Sequence, residues 1–396
     1  MRKNYVGLRS QRNPRNSMIN NQSKIEKLIA ELCPNGVEFR ALGKVVKIKN
    51  GKDWKNLGNG DIPVYGTGGV MGHVDTFVYD KPTVLIPRKG SITNIFYLDK
   101  PFWNVDTIYY TEIDTIQIMP RFFYYVMKNI DLEKLDTGSG RPSLTQAILD
   151  KIKIPLPPLA IQEEIVKILN SFTELEAELE AELEARKKQY EHYREELLTD
   201  GKDDISVEIS SVANYSKTRI SANELNVDCY VGVDNLLQNR QGKTVSSYVP
   251  KTGKLTRYEN GDILIGNIRP YLKKIWQATN IGGTNGDVLV IHINEVAKNN
   301  ISSKFLYHLL ASDNFFNYNM RNAKGAKMPR GNKPAIMKYR IPLPPIEKQN
   351  QIVTILDKFE ALVNDISVGL PAELNARRSQ YEYYRGKLLT FKEYAK

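Results

Sequence analysis

Two cysteines, four histidines and one glycine-rich turn are the first places to look for chemistry in this chain. Cys33 and Cys229 are far apart, and His73, His192, His292 and His308 show no metal-ligand spacing with either. Both cysteines read as buried, reduced thiols of a cytoplasmic protein. Gly66-Thr67-Gly68-Gly69 could cradle a phosphate, but it lacks the Gly-Lys-Ser/Thr ending of a nucleotide loop and reads as a tight turn. The only Pro-Pro pairs follow Leu156 and Leu343, and neither belongs to the Asn-Pro-Pro-aromatic motif of amino-methyltransferases. No Asp/Glu-x-Lys nuclease context stands above chance. The expectation is therefore no catalytic residue, no metal and no cofactor.

What remains is charge. The net charge is +11, which points to a polyanionic partner, nucleic acid first and anionic membrane second. Glu174 to Glu184 is strongly acidic, so the excess of Lys and Arg lies elsewhere. Arg321 to Arg340 (RNAKGAKMPRGNKPAIMKYR) carries seven basic residues and no acidic one, the pattern of a phosphate-facing stretch. No apolar run approaches the roughly 18 residues of a membrane span. The first residues are basic and Asn-rich without an apolar core, so residues 1–17 read as a flexible extension rather than a secretory signal. A start at Met18 fits the pattern as well as one at Met1.

The elements that would position such groups come twice. IPLPPLAIQEEIVKIL (Ile154–Leu169) recurs as IPLPPIEKQNQIVTIL (Ile341–Leu356), an offset of 187 residues. Gly138-Ser139-Gly140-Arg141-Pro142 falls in register with Gly325-Ala326-Lys327-Met328-Pro329. LEARKKQYEHYREELL (Leu183–Leu198) matches LNARRSQYEYYRGKLL (Leu374–Leu389) at an offset of 191, four more. Four residues is close to one helical turn, so the insertion roughly preserves a helical face. Apolar residues at spacings of three and four predict a long helix after each Pro-Pro pair. The first stripe includes Ile165, Ile168, Leu169, Phe172, Leu175, Leu179, Leu183, Tyr190, Tyr193 and Leu197. The second includes Ile352, Ile355, Leu356, Phe359, Leu362, Ile366, Leu374, Tyr381, Tyr384 and Leu388. Two such stripes predict a coiled coil, locally unwound where LEAELEAELEA repeats every four residues. Pro371 predicts a break or kink in the second helix.

Between the matched ends the chain varies. The blocks read as mixed α/β with short strands at Thr83–Pro87, Thr107–Glu112, Ile263–Gly266 and Val288–His292. A late helix follows in each, over Arg121–Lys128 and Ser303–Ala311. The division is an extension 1–17, a block 18–158, a helix 159–200, a second block 201–345 and a helix 346–391.

Two variable blocks, each closed by an IPLPP–Gln–IV–IL helix ending in Arg-(Arg/Lys)-x-Gln-Tyr-x-x-Tyr-Arg-x-x-Leu-Leu, resemble the specificity subunit of type I restriction–modification systems. Block one adds Tyr65–Asp75, Leu85–Ile92 and Phe102–Tyr110, similar to one class of target-recognition domain; Ile263–Lys274 resembles another class. The extension before Met18 departs from the family pattern. The resemblance implies two α/β (α+β) target-recognition domains in pseudo-two-fold arrangement, separated by an antiparallel two-helix coiled coil. It implies double-stranded DNA read as two half-sites, two docked methyltransferase subunits, and restriction subunits joining through them. It implies a non-catalytic, cytoplasmic subunit. The alternative is an orphan DNA-binding scaffold, or a coiled-coil interaction protein without restriction–modification partners.

Base reading needs donors and acceptors at groove edges, with Lys and Arg on phosphates. Block one offers Thr67, Arg88, Lys89, Asn94 and Arg141. Block two offers Asn267, Arg269, Lys273, Lys274, Lys327 and Arg330. Trp103 and Asp106 read instead as a core Trp and a turn Asp. Gln162, Ile165, Leu169, Phe172, Tyr190, Tyr193, Gln349, Ile352, Leu356, Phe359, Tyr381 and Tyr384 make up the coiled-coil and partner-docking set.

Overall fold

The computed structural model describes residues 24–136, 140, 142–199, 205–364 and 369–394. The extension 1–17, Met18, Arg141 and Ile366 lie outside the described residues. The chain divides into two compact units: residues up to Glu178 with those from Asn375 onward, and Leu179–Leu374.

In the first unit, helical residues 24–32 (α1) precede β1 (Glu38–Ala41) and β2 (Val46–Asn50). Then come β3 (Ile62–Gly66), β4 (Gly69–Val74), β5 (Thr83–Pro87), β6 (Phe96–Leu98), β7 (Trp103–Asn104) and β8 (Ile108–Ile113). The main sheet is antiparallel in the order β2-β8-β5-β6, and β5 is buried along its whole length. A strand covered on both faces needs an unbroken apolar run, which is what TVLIP offers. A smaller sheet, β4-β3-β7, pairs β3 with β7 in parallel. The helix α2 (Pro120–Asn129) buries Phe122, Phe123 and Tyr125. A short α3 (Gln146–Leu149) leads to β9 (Lys153–Leu156), which returns antiparallel to β1.

The second unit repeats the plan. β10 (Ile205–Glu208), α5 (Ile209–Val212), β11 (Ala213–Tyr215), β12 (Arg219–Ser221) and β13 (Tyr230–Val231) come first. β14 (Lys254–Tyr258), β15 (Ile263–Gly266), β16 (Ile275–Gln277), β17 (Gly282–Thr284) and β18 (Val288–Ile293) follow. Then come α6 (Ser303–Leu310), α7 (Asp313–Arg321), α8 (Lys333–Met337) and β19 (Arg340–Leu343). The main sheet has the order β11-β18-β15-β16, strand for strand that of the first unit. The two blocks share little sequence, yet each places an unbroken apolar strand, β5 or β15, inside the same sheet order. The second sheet differs, with four strands in the order β12-β14-β17-β13.

Each closing strand runs through two prolines into a helix. The first, α4 (Leu159–Thr199), is continuous for 41 residues. The second stretch is two helices, α9 (Ile346–Asn364) and α10 (Leu370–Leu389), with Pro371 in the first turn of α10, where its missing N–H costs nothing. Pro158 O accepts the N–H groups of Ile161 and Gln162, and Pro345 O accepts that of Gln349.

Gln162 and Gln349 are wholly buried, so they do not form a docking surface. Each is a latch. Gln162 Oε1 accepts the Met119 N–H at 2.8 Å, and its Nε2 donates to Gln117 O and Pro157 O at 3.0 and 2.8 Å. Gln349 Oε1 accepts the Ser302 N–H at 2.9 Å, and its Nε2 donates to Asn300 O and Pro344 O, both at 2.8 Å. Met119 and Ser302 are the N-cap residues of α2 and α6, so each latch ties the closing helix to the start of its block's late helix.

The rest of the stripes builds the interior of each unit. Ile165, Leu169 and Leu356 are fully buried, Phe172, Tyr190 and Ile352 nearly so, and Phe359, Tyr381 and Tyr384 partly. Tyr193, Ile355 and Leu362 were expected inside but are exposed; Val363 is buried instead. Leu175, Leu179 and Leu183 are only half-buried. Four-residue steps overshoot a helical turn by about 40° at 3.6 residues per turn, which carries them off any one face.

The matched tails are exchanged. In the first unit Phe172 of α4 stacks on Tyr384 of α10 at 5.5 Å, with Tyr381 at 6.2 Å and Arg378 Nε donating to Glu176 Oε1 at 2.6 Å. In the second unit Phe359 of α9 meets Tyr193 and Tyr190 of α4 at 5.8 and 6.4 Å. Arg385 and Arg194 lie over the matched rings of Tyr381 and Tyr190, at 5.4 and 5.3 Å. Burial pushes both phenols up to about 12, so they stay neutral.

Replacing a latch by an isostere strands a buried N–H and two carbonyls, each costing about 1–3 kcal/mol. Gln349→Leu is therefore expected to lower stability by about 3–5 kcal/mol in urea unfolding, and Gln162→Leu likewise. Glu163→Ala, on the exposed side of the same turn, is expected to stay within about 0.5 kcal/mol.

Candidate nucleic-acid interface

In the first unit the loop after β5 is the centre of the candidate face. The N–H groups of Arg88 and Lys89 both donate to Thr107 O, at 2.8 and 3.2 Å. Gly90 N–H donates to Pro142 O and Leu144 N–H to Arg88 O, so the loop is zipped to the segment before β9. The Arg88 guanidinium lies 5.8 Å from the Tyr109 ring centroid and reaches Asp106 O at 3.4 Å. Asn94, exposed, donates from Nδ2 to Thr67 O at 2.8 Å. Thr67 sits in the tight turn between β3 and β4, where Gly69 has φ +105°, a value only glycine takes easily. Thr67, Arg88, Lys89 and Asn94 thus belong to one connected pair of loops. Val70 and Met71, on the first residues of β4, are more than half exposed. Trp103 is half-buried among Trp54, Leu57 and Ile62, donating to Lys52 O, and Asp106 lies in a turn.

The second unit builds the matching face with different residues. Ile268 bridges Arg330, Arg269 N–H donates to Pro329 O at 2.7 Å, and Gly331 N–H donates to Asn267 O at 3.0 Å. The loop after β15 is thereby fastened to the loop before α8, as in the first unit. Arg269, Lys327 and Arg330 are exposed there. Arg330 pairs with Asp287 at 3.3 Å, a surface contact worth at most about 1 kcal/mol and easily exchanged for a phosphate.

Three residues proposed for DNA contact face inward. Asn267 is buried under Gly331 beside Asn319; a Cβ at Gly331 would come within 2.6 Å of the side-chain oxygens of both. Lys273 Nζ donates to Asp313 Oδ1 at 2.7 Å, and Lys274 Nζ to Val233 O at 2.6 Å. Burial alone would raise the Asp313 carboxyl, but Lys273 and Arg240 outweigh it and hold the group below the usual carboxylate range. These three position the loop. The basic run Arg321–Arg340 is also not one face: its last member, Arg340, donates from Nε to Ser206 Oγ on the paired β10.

Among the described residues one side-chain group has metal-ligand types, His308, Asp357 and Glu360. His308 Nε2 lies 2.9 Å from Asp357 Oδ1, and Lys304 approaches the same oxygen at 3.5 Å. The first unit has a version with an amide in place of the carboxylate, in which Tyr125 Oη and Arg121 Nε donate to Asn170 Oδ1 at 2.6 and 3.3 Å. The arrangement is a helix-to-block contact made twice. Cys33 is buried, with its thiol pushed up by burial; Cys229 is half-buried, not buried as expected.

Two α/β units on one plan, with shared buried fastenings and unlike exposed loops, define a repeat-built scaffold. Residues 34–185 and again 205–376 match the type I restriction modification DNA specificity domain. A Haemophilus influenzae protein bearing the name of a type I restriction enzyme specificity subunit is 31% identical over 403 residues, covering 94% of this chain and 100% of that one. The EcoR124I/EcoR124II specificity subunit of Escherichia coli is 28% identical over 323 residues, 71% of this chain and 73% of that one. The crystal structure of an S subunit from M. genitalium superposes with a TM-score of 0.56 at 15% identity, covering 89% of this chain and 96% of the other.

The chain belongs to the type I restriction–modification specificity subunit family. It is a DNA-binding, non-catalytic member of a system whose chemistry resides in modification and restriction subunits.

Each phosphate contact adds about one unit to the salt slope of binding. Arg269→Ala and Lys327→Ala are each expected to weaken DNA binding several-fold and to flatten that slope by about one. Lys274→Met is expected to lower stability and leave the slope unchanged. Fluorescence anisotropy at several salt concentrations, on the chain assembled with its methyltransferase subunits, reads all three.

Proposed function

We propose that each unit reads one half of a bipartite DNA site, while the helical segments form an antiparallel coiled coil that sets the unread gap. Two methyltransferase subunits dock on the two matched helical surfaces, and restriction subunits join through them in the cytoplasm. The observation that carries this reading is the contrast between buried framework and exposed loops. Sheet order, glutamine latch and Tyr–Arg tail are the same twice. The loops after β5 and β15 are not. A pair of identical partners calls for two like surfaces, and two different half-sites call for two unlike readers.

The division between the units falls between Glu178 and Leu179, inside the tandem LEAE stretch of α4. Inserting one more LEAE unit lengthens the helix by ~6 Å at 1.5 Å per residue, about two base-pair steps of B-DNA. The test is a genome-wide map of methylated adenines in an unmethylated host carrying the chain and its methyltransferase subunit. The expected motif has two short specific parts around a gap. The insertion is expected to widen the gap by about two base pairs and to leave both parts unchanged. An unchanged gap would remove the ruler, and a continuous motif would remove the two-reader division.

A further inference from the structure

Among the described residues four non-glycine residues have a left-handed backbone: Asn239, Arg240, Arg269 and Lys273, with φ between 49° and 66°. All four lie in two facing turns of the second unit. Asn239 N–H donates to Leu272 O and Arg240 N–H to Lys273 O, both at 2.9 Å. Side chains with a Cβ rarely adopt this conformation, and it persists only where the surroundings over-determine it.

The surroundings here do so. Arg240 donates to Ala311 O and Asp313 Oδ1 at 2.9 and 2.7 Å, and Lys273 reaches the same carboxylate oxygen. Lys274 holds Val233 O, and Arg269 N–H holds Pro329 O. Pro270 is buried. What the clamped turn holds out is Tyr271, 50% exposed, between Arg269 and Lys273. The turn is tied to the segment that carries Met328, 48% exposed, and Arg330. The exposed half of an aromatic ring carried on a fixed backbone turn gains nothing in the free protein. It is preorganised for a contact made only in a complex.

We propose that Tyr271 is a specificity-determining residue whose ring stacks on a base at a loosened step of the half-site read by the second unit. This rests on the reading of the fastened loops as the DNA face. A ring between base steps favours sequences that unstack easily, so the position should prefer a pyrimidine–purine step. The corresponding loop of the first unit, Arg88-Lys89-Gly90-Ser91, has no aromatic residue, so the effect belongs to one half-site only.

The experiment uses the chain assembled with its methyltransferase subunits and a duplex carrying the motif found by methylation mapping, with 2-aminopurine placed in turn through the second part. Tyr271→Ala should weaken binding at least about tenfold, abolish the 2-aminopurine signal at one position and leave the salt slope unchanged. Tyr271→Phe should behave as the unaltered chain. Both should melt as it does, because the side chain is half exposed. Wild-type binding by Tyr271→Ala while Arg269→Ala or Arg330→Ala weakens it would overturn the role of Tyr271 alone. Equal loss in Tyr271→Phe and Tyr271→Ala would assign the contact to the hydroxyl and overturn stacking. If all of these variants bind normally, the DNA-face reading itself fails.

Discussion

One buried amide in each unit ties the closing helix to the block it closes. Gln162 and Gln349 sit within a turn of a Pro-Pro pair and satisfy three backbone groups apiece. A buried polar side chain is stable only when its partners are all in place. That requirement sets the angle between the closing strand, the long helix and the late helix of the block. An apolar residue at the same position would bury comfortably at several helix rotations. The amide accepts one. The prolines cooperate, because Pro157 and Pro344 supply free carbonyls at the point where no N–H is needed.

With that angle set, the stacked rings farther along follow. Phe172 and Phe359 occupy matched positions on the closing helices, and each receives the Tyr–x–x–Tyr–Arg tail of the other copy. The contact is thus made twice from the same residue types. The polar contact beside it varies in charge but not in place. Tyr125, Asn170 and Arg121 form the version with an uncharged amide acceptor; His308, Asp357 and Lys304 form the one with a carboxylate acceptor. Burial pushes the Asp357 carboxyl up, yet His308 and Lys304 prevail and hold it below its ordinary range. What the two positions share is a satisfied hydrogen bond, and either acceptor supplies it.

The repeat was legible in the sequence because it rests on local types at a fixed offset, and the strands because TVLIP and ILIG are uninterrupted apolar runs. The common sheet order of the two blocks was not legible. It depends on which strands pair, and pairing leaves no mark in a stretch that tolerates any β-branched or aromatic residue. Among the charged candidates, Arg269 and Lys327 stand on the surface as their types suggested. Lys273 and Lys274 do not, because Asp313 and the Val233 carbonyl come from elements that are distant in sequence. Asn267 is hidden by Gly331, which looks like an ordinary loop glycine until the packing is known. The glutamines were placed on the right helices but given the wrong partner, since a polar residue in an amphipathic stripe reads as a surface group.

The two faces that carry the candidate contacts obey different physics on the same scaffold. In the first unit the loop after β5 turns at Gly90, with φ +87°, so it changes direction without strain and is stabilised mostly by backbone hydrogen bonds. In the second unit the loop after β15 turns at Arg269 and Lys273, and two buried-side cations with one carboxylate hold it there. Glycine would relieve the strain at either position but would surrender the side chain. At Lys273 that side chain is half of the clamp, and at Arg269 it is an exposed cation on the candidate face. The strained turn is therefore the form that keeps both charges and still projects what lies between them.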